Sequence, residues 1–495
     1  MDKWKPLYHF MAPKHWMNDP NGPLYHQGVY HLFYQWNPDN DEWGNIHWGH
    51  AMSIDLVHWE HRPPALSPLR EAGELHCFSG SCVIENGRPA LFYTSVGEGD
   101  RDCRVGPQQW LAKGTNNLEN WTRIKENPIL QLSIHGELQV LDWRDPFVWK
   151  GENLWYMILG GSVHGKGCVL LYEGQSLEQW KYLGILAQGD DKVWECPNFF
   201  PLKWGEEQDR WVLLYSPIGS EDSRVHFRIG TWEPGKAFIS QEEGVLDEGG
   251  KSGYYAATSF LGPDERRLVH GWISEETRKN HGASLGWNGC LALPREISLN
   301  AAGELVQRPV PELEVFRGAY EHWVNMNVKG LHLLATQGRG VELELFLKMP
   351  EDTDGRGAII PPLEIQFFSS PDQTQKTVVQ LDAQKHQLRV DRSKSSTLEG
   401  IDKSTLNLDL PSGPWNLRIF LDHSTFEIFV NDRYCLSGRV YPDHPDAHRI
   451  YLNCAQEGIW QVTELKAWIL AEDLEEIRVR QEELLLGIDS EGQNP

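Results

Sequence analysis

Short apolar, aromatic-rich runs alternate with clusters of Gly, Pro, Asn and Asp over the first 300 residues. Runs such as Val29–Tyr34, Ala90–Thr94 and Trp211–Tyr215 have the length of single β-strands, and the residues between them favour turns. No segment in this part shows the 3.6-residue periodicity of a long amphipathic helix. The pattern predicts an all-β fold.

A faint internal repeat indicates which all-β fold this is. An L-x-x-W pattern follows a strand-like run at Leu56–Trp59, Leu118–Trp121 and Leu177–Trp180, with spacings of 62 and 59 residues. A period near 60 suits one propeller blade with long loops. The repeat therefore predicts a five-bladed β-propeller over residues 1–308.

The pattern changes around Leu305–Leu313, where two prolines indicate a linker. Segments beyond it, such as Val341–Leu347 and Leu417–Leu421, alternate apolar and polar residues as half-buried antiparallel strands do. We expect a β-sandwich domain over 320–470. Apolar residues among acids and arginines predict a C-terminal helix and tail over 471–495.

Charge and composition exclude several classes of partner. The chain carries 46 basic and 70 acidic residues, a net charge of −24, which repels nucleic acid and anionic membranes and favours a neutral substrate. Eight cysteines without C-x-x-C pairs are expected to be reduced thiols. Without a signal-peptide pattern or a window of about 18 apolar residues, we expect a cytoplasmic protein that does not enter a membrane.

Neither a metal nor a cofactor is expected. His47 and His50 have an i, i+3 spacing that metal ligands can use, but no third ligand of the right type is near them in sequence. Structural hydrogen bonding is the simpler interpretation. No glycine-rich phosphate loop is present, and Cys196 has no neighbouring base that would make it a nucleophile.

Three acids stand in unusual local contexts. Asp19 lies in W-M-N-D-P-N-G, Asp145 in D-W-R-D-P beside an arginine, and Glu195 in W-E-C-P-N between an aromatic residue and a cysteine. Each segment could also be an ordinary turn, since Asp, Asn and Pro are turn residues. Partial burial of Glu195 would favour a general acid.

Retaining glycoside hydrolysis needs two carboxyl groups about 5–5.5 Å apart, one as nucleophile and one as acid/base. Asp19 and Glu195 can fill these roles only if distant parts of the chain converge, which the common axis of a propeller achieves. Asp145 would then stabilise the cationic transition state.

The three contexts, in this order, resemble the acidic signatures of glycoside hydrolase family 32, the invertase-type β-fructofuranosidases. The resemblance covers nearly the whole chain. Further matching segments are Phe33–Pro38, Trp43–His50, Phe78–Ser81, Tyr255–Ala257, Gly286–Gly289, Leu293–Glu296 and Asp422–Asn431.

This resemblance implies a five-bladed propeller followed by a β-sandwich, and a covalent fructosyl-enzyme intermediate. It makes Asp19 the nucleophile, Asp145 the transition-state stabiliser and Glu195 the acid/base. It implies exo action on sucrose and short fructans. The substrate-binding residues that it implies are Trp16, Met17, Asn18, Gln35, Trp43, Phe78, Ser79, Arg144, Tyr255 and Trp272.

One residue departs from the pattern of many relatives, which have an acid where this chain has Asn198. An amide in place of an anion three residues from Glu195 should move the acid limb of the pH profile to lower pH. We state this as a hypothesis.

Other functions remain open at this level. A fructosyltransferase or a fructan exohydrolase acting on inulin or levan would use the same scaffold. An arabinose-specific furanosidase and a non-catalytic fructan-binding protein fit less well, because the C-terminal motif and all three carboxylates are present. The strongly acidic total argues mildly against a phosphorylated sugar, and edge strands of the sandwich could pair in a homodimer.

Overall fold

The computed structural model describes residues 2–97, 106–205, 208–219, 222–278, 284–350, 360–455 and 460–470. The predicted helix and tail at 471–495 lie outside these residues. The chain divides into two compact units, the first comprising Phe10–Glu276 and Gly282–Arg308, and the second formed mainly by the chain from Pro309 onward.

The first unit consists of antiparallel meanders of four strands each, arranged as five blades. Blades 3 and 4 share one sheet through a single bridge between Gly161 and Trp194. The predicted propeller is confirmed. In chain order the strands are β1 (His15–His26), β2 (Val29–Asn37), β3 (His47–Ser53), β4 (Glu60–Leu66), β5 (Glu74–Glu85), β6 (Arg88–Gly97), β7 (Gln108–Gly114), β8 (Trp121–Arg123), β9 (Val140–Lys150), β10 (Trp155–Val163), β11 (Lys166–Gly174), β12 (Trp180–Gln188), β13 (Val193–Trp204), β14 (Gln208–Ile218), β15 (Val225–Thr231), β16 (Ile239–Asp247), β17 (Tyr255–Leu261), β18 (Arg267–Ile273), β19 (Trp287–Asn288), β20 (Cys290–Leu291), β21 (Arg295–Leu299) and β22 (Leu305–Pro309).

Blades 1 to 4 are β1–β4, β5–β8, β9–β12 and β13–β16, and blade 5 is β17, β18, β21 and β22 with the short β20 beside β18. The ring closes at β19, which lies between β18 and β20 in the chain. This short strand pairs in parallel with β1 of blade 1. The innermost strands of the blades are therefore β1, β5, β9, β13 and β17.

The L-x-x-W repeat marks the turn that leads into the outer strand of blades 1, 2 and 3. In each copy the indole Nε1 donates a hydrogen bond to the carbonyl of the leucine three residues earlier, at 2.9–3.0 Å. The leucines Leu56, Leu118 and Leu177 are buried. The repeat thus reflects a local hydrogen-bonded turn with a buried anchor.

The second unit is a sandwich of two six-stranded antiparallel sheets, as predicted, with strand orders β23-β34-β25-β30-β31-β32 and β24-β33-β26-β27-β28-β29. Its core lies between the sheets and includes Leu343, Ile365 and Ile428. The strands are β23 (Arg317–Asn327), β24 (Gly330–Leu333), β25 (Gly340–Lys348), β26 (Leu363–Ser369), β27 (Thr377–Asp382), β28 (Gln387–Asp391), β29 (Leu406–Asp409), β30 (Trp415–Asp422), β31 (Thr425–Val430), β32 (Tyr434–Arg439), β33 (Arg449–Cys454) and β34 (Gln461–Leu470).

Helical structure in the described part of the chain consists of short 3₁₀ turns, and none is long and apolar enough to cross a membrane. These turns are Arg70–Ala72, Leu132–His135, Gly250–Ser252, Pro263–Glu265 and Pro311–Phe316.

The first nine residues belong to the second unit, whereas the sequence had assigned them to the propeller. The Asp422 carboxylate accepts hydrogen bonds from the backbone N–H groups of Leu7, Tyr8 and His9 at 2.7–3.1 Å. The His9 ring lies between Asp422, at 2.8 Å, and Glu427, at 3.1 Å, and all three side chains are fully buried. These bonds hold the N-terminal segment on the sandwich.

Candidate active site

One cavity of about 1020 Å³ collects residues from the innermost strand of every blade. Asp19 reaches it from β1, Ser79 from β5, Asp145 from β9, Glu195 from β13 and Tyr255 from β17. Residues that are up to 236 positions apart, Asp19 and Tyr255, thus face one space. The convergence that the propeller axis predicted is present.

Each inner strand carries the same irregularity at the cavity. Two of its residues stand opposite one residue of the neighbouring strand, which is a β-bulge. A bulge re-aims side chains out of the regular alternation, and it leaves its residues outside the ladder of backbone hydrogen bonds. The bulged pairs are Asn18–Asp19 in β1, Phe78–Ser79 in β5, Asp145–Pro146 in β9, Cys196–Pro197 in β13 and Ala256–Ala257 in β17.

The bulges explain the acid-proline and cysteine-proline steps of the sequence. Proline has no N–H to donate, so it is tolerated in a strand at a bulge. Asp145 and Cys196, each followed by a proline, have positive φ angles of 63° and 47°. Pro20, by the same argument, follows the bulge of β1. The segments that resembled turns are therefore interrupted strands.

Asp19 is held by three side-chain donors. Its Oδ2 accepts from Ser79 Oγ at 2.6 Å and from Cys196 Sγ at 3.4 Å, and its Oδ1 accepts from Asn18 Nδ2 at 3.1 Å. Burial raises the pKa of Asp19, the Ser79 hydrogen bond lowers it, and the charge of Glu195 raises it; the net direction is upward. A carboxylate with fixed donors is oriented for attack.

A second layer fixes the donors themselves. Gln35 Nε2 donates to Ser79 Oγ at 2.8 Å, and its Oε1 accepts from Asn18 Nδ2 at 3.0 Å. Trp16 Nε1 donates to Asn18 Oδ1 at 2.8 Å. The orientation of Asp19 is thereby determined by a chain of hydrogen bonds across blades 1 and 2.

Asp145 is the most buried of the three acids, with 5% of its surface exposed. Its Oδ2 accepts a hydrogen bond from the backbone N–H of Cys196 at 2.8 Å. Burial raises the pKa of Asp145 to about 7, Arg144 lowers it, and the charges of Glu195 and Asp19 raise it. Its protonation is coupled to that of the other two carboxyl groups.

Glu195 has two strong donors. Arg144 Nη1 donates to Oε1 at 2.9 Å, and the Tyr255 hydroxyl donates to Oε2 at 2.8 Å. Arg144 is fixed in turn by the Asp142 carbonyl at 3.1 Å and the Asp142 carboxylate at 3.0 Å. Glu195 and Asp19 therefore occupy different electrostatic environments, one cationic and one neutral.

Aromatic rings form part of the wall. Trp43 meets Phe78 edge to face with ring centroids 6.0 Å apart, and Trp16 lies 5.7 Å from Trp272. The guanidinium of Arg144 lies 5.9 Å from the Phe78 ring. Such surfaces cover the C–H face of a sugar and exclude water.

All of the predicted site residues except Met17 line this cavity. Met17 is 1% exposed, and its Sδ accepts a hydrogen bond from the Ala12 N–H at 3.0 Å. It precedes the bulge of β1 and does not line the cavity, and its assignment as a binding residue stays a prediction.

The histidine and cysteine candidates have structural surroundings. His50 Nε2 lies 3.1 Å from His31 Nδ1, and burial lowers the pKa of both rings. The His47 ring nitrogen meets the Asn45 carbonyl at 2.6 Å. No cluster of three metal-ligating side chains occurs in the described part of the chain. Burial and the neighbouring carboxylates raise the pKa of the Cys196 thiol, so the thiol stays protonated and donates to Asp19.

Asn198 does not face the cavity of about 1020 Å³. It is 2% exposed, its Nδ2 donates to the carbonyls of Cys196 and Ala257 at 3.0 Å each, and its Oδ1 accepts from Ser259 N at 2.7 Å. The bonds to Ala257 and Ser259 join β13 to β17, and the bond to Cys196 lies within β13. The amide therefore links two inner strands, a role that the sequence did not suggest.

Several further residues line the cavity that the sequence analysis did not name as site residues, among them Asp142 inside the D-W-R-D-P motif. Lys192 and Lys251 are the basic ones, and Lys251 pairs with Glu276 at 3.3 Å. The others among the described lining residues are Leu141, Asp142, Ser162, Gly165, Val193, Ile218 and Gly219.

Comparison with known proteins agrees with this geometry. The model of the glycosyl hydrolases family 32 N-terminal domain matches residues 9–309, and that of the family 32 C-terminal domain matches residues 312–469. This chain belongs to glycoside hydrolase family 32. It is a glycoside hydrolase, and membership of the family supports β-fructofuranosidase activity.

Two relatives from Escherichia coli are each 32% identical. A sucrose-6-phosphate hydrolase aligns over 88% of this chain and 89% of its own length, and a raffinose invertase over 94% and 95%. Among solved structures, fructan 1-exohydrolase IIa from Cichorium intybus in complex with 1-kestose is 27% identical. It covers 95% of this chain and 98% of its own, with a TM-score of 0.84.

Proposed function

We propose that this protein is a retaining, exo-acting β-fructofuranosidase that releases terminal fructose from sucrose and short fructans. The observation that carries the proposal is the convergence of two carboxyl groups from separate blades on one cavity. Asp19 is held by Ser79, Asn18 and Cys196, whereas Glu195 is held by Arg144 and Tyr255. Two carboxyl groups in one cavity are what a nucleophile and an acid/base need for retaining glycoside hydrolysis.

In the first step Asp19 attacks the anomeric carbon of the fructosyl unit, and Glu195 gives its proton to the leaving oxygen. The bond to the leaving group breaks as the ester to Asp19 forms. In the second step Glu195 takes a proton from water, which attacks the same carbon and releases Asp19. Ser79 and Asn18 keep the Asp19 carboxylate in place through both steps.

Asp145 supports the positive charge that develops on the sugar ring. In the free enzyme the charge of Asp19 contributes to the raised pKa of Asp145. Once Asp19 is an ester, that charge is gone and Asp145 ionises more readily. The stabilising anion is therefore strengthened during the part of the reaction in which the ring carries positive charge.

Product analysis tests the proposal. The protein, its Asp19→Asn variant and a control variant, Asp264→Asn in an exposed 3₁₀ turn, are incubated separately with sucrose, inulin and levan. We expect fructose from the parent and the control, and none from Asp19→Asn. Proton NMR at early times should show fructose in the β configuration. New longer oligosaccharides would instead indicate a fructosyltransferase, and no product from any substrate would contradict the proposal.

A phosphorylated sucrose is a second candidate substrate, because the cavity border carries Lys192 and Lys251. Lys192 is exposed and has no carboxylate partner among the described residues, so its ammonium group is available to a phosphate. Lys192 thus supplies a cation at the cavity border although the chain as a whole is acidic. We expect Lys192→Met to lower kcat/KM for sucrose 6-phosphate about tenfold and to leave sucrose within about twofold. An equal effect on both sugars would refute phosphate recognition.

We further propose that the protein is cytoplasmic and acts on small or oligomeric sugars without nucleic acid, membrane or cofactor. The cysteines in the described part of the chain carry free thiols, which fits a reducing compartment. A homodimer stays a prediction that sedimentation analysis would test.

A further inference from the structure

A second cavity, of about 880 Å³, lies at the other ends of the same inner strands. The active-site cavity is lined by the first halves of β1, β9 and β13, and the second cavity by their last halves. Each inner strand runs from one cavity toward the other. The second cavity is within the size range of small-molecule sites, about 300–1,000 Å³.

A narrow constriction separates the two spaces. Its volume is about 10 Å³, and Ser79 and Asp145 border it together with Phe147 and Thr258. Ser79 and Asp145 also line the active-site cavity, while Phe147 and Thr258 also line the second cavity. Such a space holds about one water molecule. A sugar cannot pass through it, so the second cavity is a separate compartment.

Two tryptophans give the second cavity flat apolar surfaces. Trp211 stacks on Phe199 with centroids 4.6 Å apart and an interplanar angle of 27°, and Trp149 stacks on Tyr156 at 5.5 Å and 26°. Each indole thus has one face covered by a ring of the core. Both remain partly exposed and line the cavity.

Polar groups of both signs surround these rings. The Arg267 guanidinium lies 4.5 Å from the Phe200 ring centroid, and its Nε is buried without a hydrogen-bond partner. No carboxylate pairs with Arg267 among the described residues. Asp209 and Glu152, both exposed, also line the cavity and supply acceptors. The cavity thus offers a guanidinium donor and carboxylate acceptors to a ligand.

We propose that this second cavity is a non-catalytic saccharide-binding site. Indole faces cover sugar C–H groups, and a guanidinium together with carboxylates can bond adjacent sugar hydroxyls. The net charge of −24 and the two carboxylates favour a neutral oligosaccharide over an anion. The choice of a fructan as ligand rests on the proposed function, whereas the existence of the site rests on the cavity.

Calorimetric titration of the Asp19→Ala protein with an inulin-type tetrasaccharide tests the proposal, because the ligand is then not consumed. We expect two sites per chain. Arg267→Met, which keeps the apolar contact with Phe200, should weaken one of them about tenfold or more. Arg210→Met is the matched control, since Arg210 lies over the Trp204 ring at 4.8 Å and lines neither cavity.

A single site that Arg267→Met leaves unchanged would overturn the proposal, as would equal weakening by Arg210→Met. Asp209→Ala provides a second variant at an exposed position, where a folding defect is not expected. Trp43→Ala in the same background should weaken only the other site. If the Asp19→Ala protein shows the Arg267-dependent site but no Trp43-dependent site, the result would count against the proposed function and not against the second cavity.

Discussion

Ser79→Ala should move the acid limb of the kcat/KM profile to higher pH. The Ser79 hydroxyl donates to Asp19 at 2.6 Å and is the largest factor that lowers the pKa of that buried carboxyl group. Removing it leaves burial and the charge of Glu195 to raise the pKa further. Asp19 attacks only when ionised, so more alkaline solution is then needed to reach full activity.

The size of the shift follows from the hydrogen bond. A bond to a charged group contributes about 1.5–3 kcal/mol, and about 1.4 kcal/mol corresponds to one pH unit. We therefore expect the acid limb to rise by about one to two pH units. In Ser79→Ala, the Gln35 N–H that donates to Ser79 Oγ at 2.8 Å loses its acceptor. If Gln35 turns to donate to Asp19 instead, the shift should be about one pH unit.

The assay is the initial rate of glucose release from sucrose at low concentration across the acidic and neutral range. Ser162→Ala serves as the control, because Ser162 lines the same cavity and makes no hydrogen bond to the three acids among the described contacts. A uniform loss of kcat/KM with an unchanged acid limb would refute the reasoning and assign Ser79 to sugar binding alone. A shift of equal size in Ser162→Ala would also refute it.

Three further predictions concern stability, each measured by thermal unfolding. His9→Gln should destabilise the protein by about 3–5 kcal/mol, because it removes the cation between two buried carboxylates. Since folding raises the pKa of His9, this loss of stability should reach its full size below about pH 6.5 and shrink as the pH rises through the folded pKa. A loss of stability that grows with pH would contradict this prediction. Asn198→Asp should lower the free energy of unfolding by about 2 kcal/mol or more at neutral pH, because a carboxylate would face the Cys196 and Ala257 carbonyls. An unchanged melting temperature with a displaced acid limb would instead support the hypothesis that residue 198 sets the pH profile. Gly80→Ala should destabilise the protein by at least about 1–3 kcal/mol, since the new Cβ would lie 1.9 Å from the Phe92 carbonyl oxygen. Gly87→Ala is the comparison variant: its Cβ would have no atom within 4 Å, and its φ of 77° alone should cost about 1 kcal/mol.

The sequence identified the fold and the acids because each left a local signal. The L-x-x-W copies are visible since the indole bonds a carbonyl only three residues away. The D-P and N-G steps around Asp19 looked like a turn, because turn propensity and bulge propensity select the same residues. Only the pairing of β1 with β2 shows that this segment is a strand.

Other features depend on contacts that no local pattern encodes. Met17 was grouped with the binding residues because it lies inside a motif, yet the bulge after it decides its direction. Lys192 reaches the cavity from the residue just before β13, two positions before the W-E-C-P-N motif, and nothing in that motif marks it as a lining residue. In sequence, Asn198 differs from many relatives by having an amide in place of an acid. Its bonds to Ala257 and Ser259 form only where blades 4 and 5 lie side by side in the fold.

The second unit contains two separate stretches of the chain, and the Asp422 carboxylate binds one to the other. A fragment containing only Pro309–Leu470 would keep Asp422 and Glu427 buried and retain His423 beside Asp422, but it would lack the three N–H groups and the His9 imidazole that also bond these carboxylates. During synthesis the segment around His9 is made before all five blades, and its partner strands in the sandwich are made after them. We therefore expect the sandwich to fold as a separate protein only when the segment containing Leu7, Tyr8 and His9 is included.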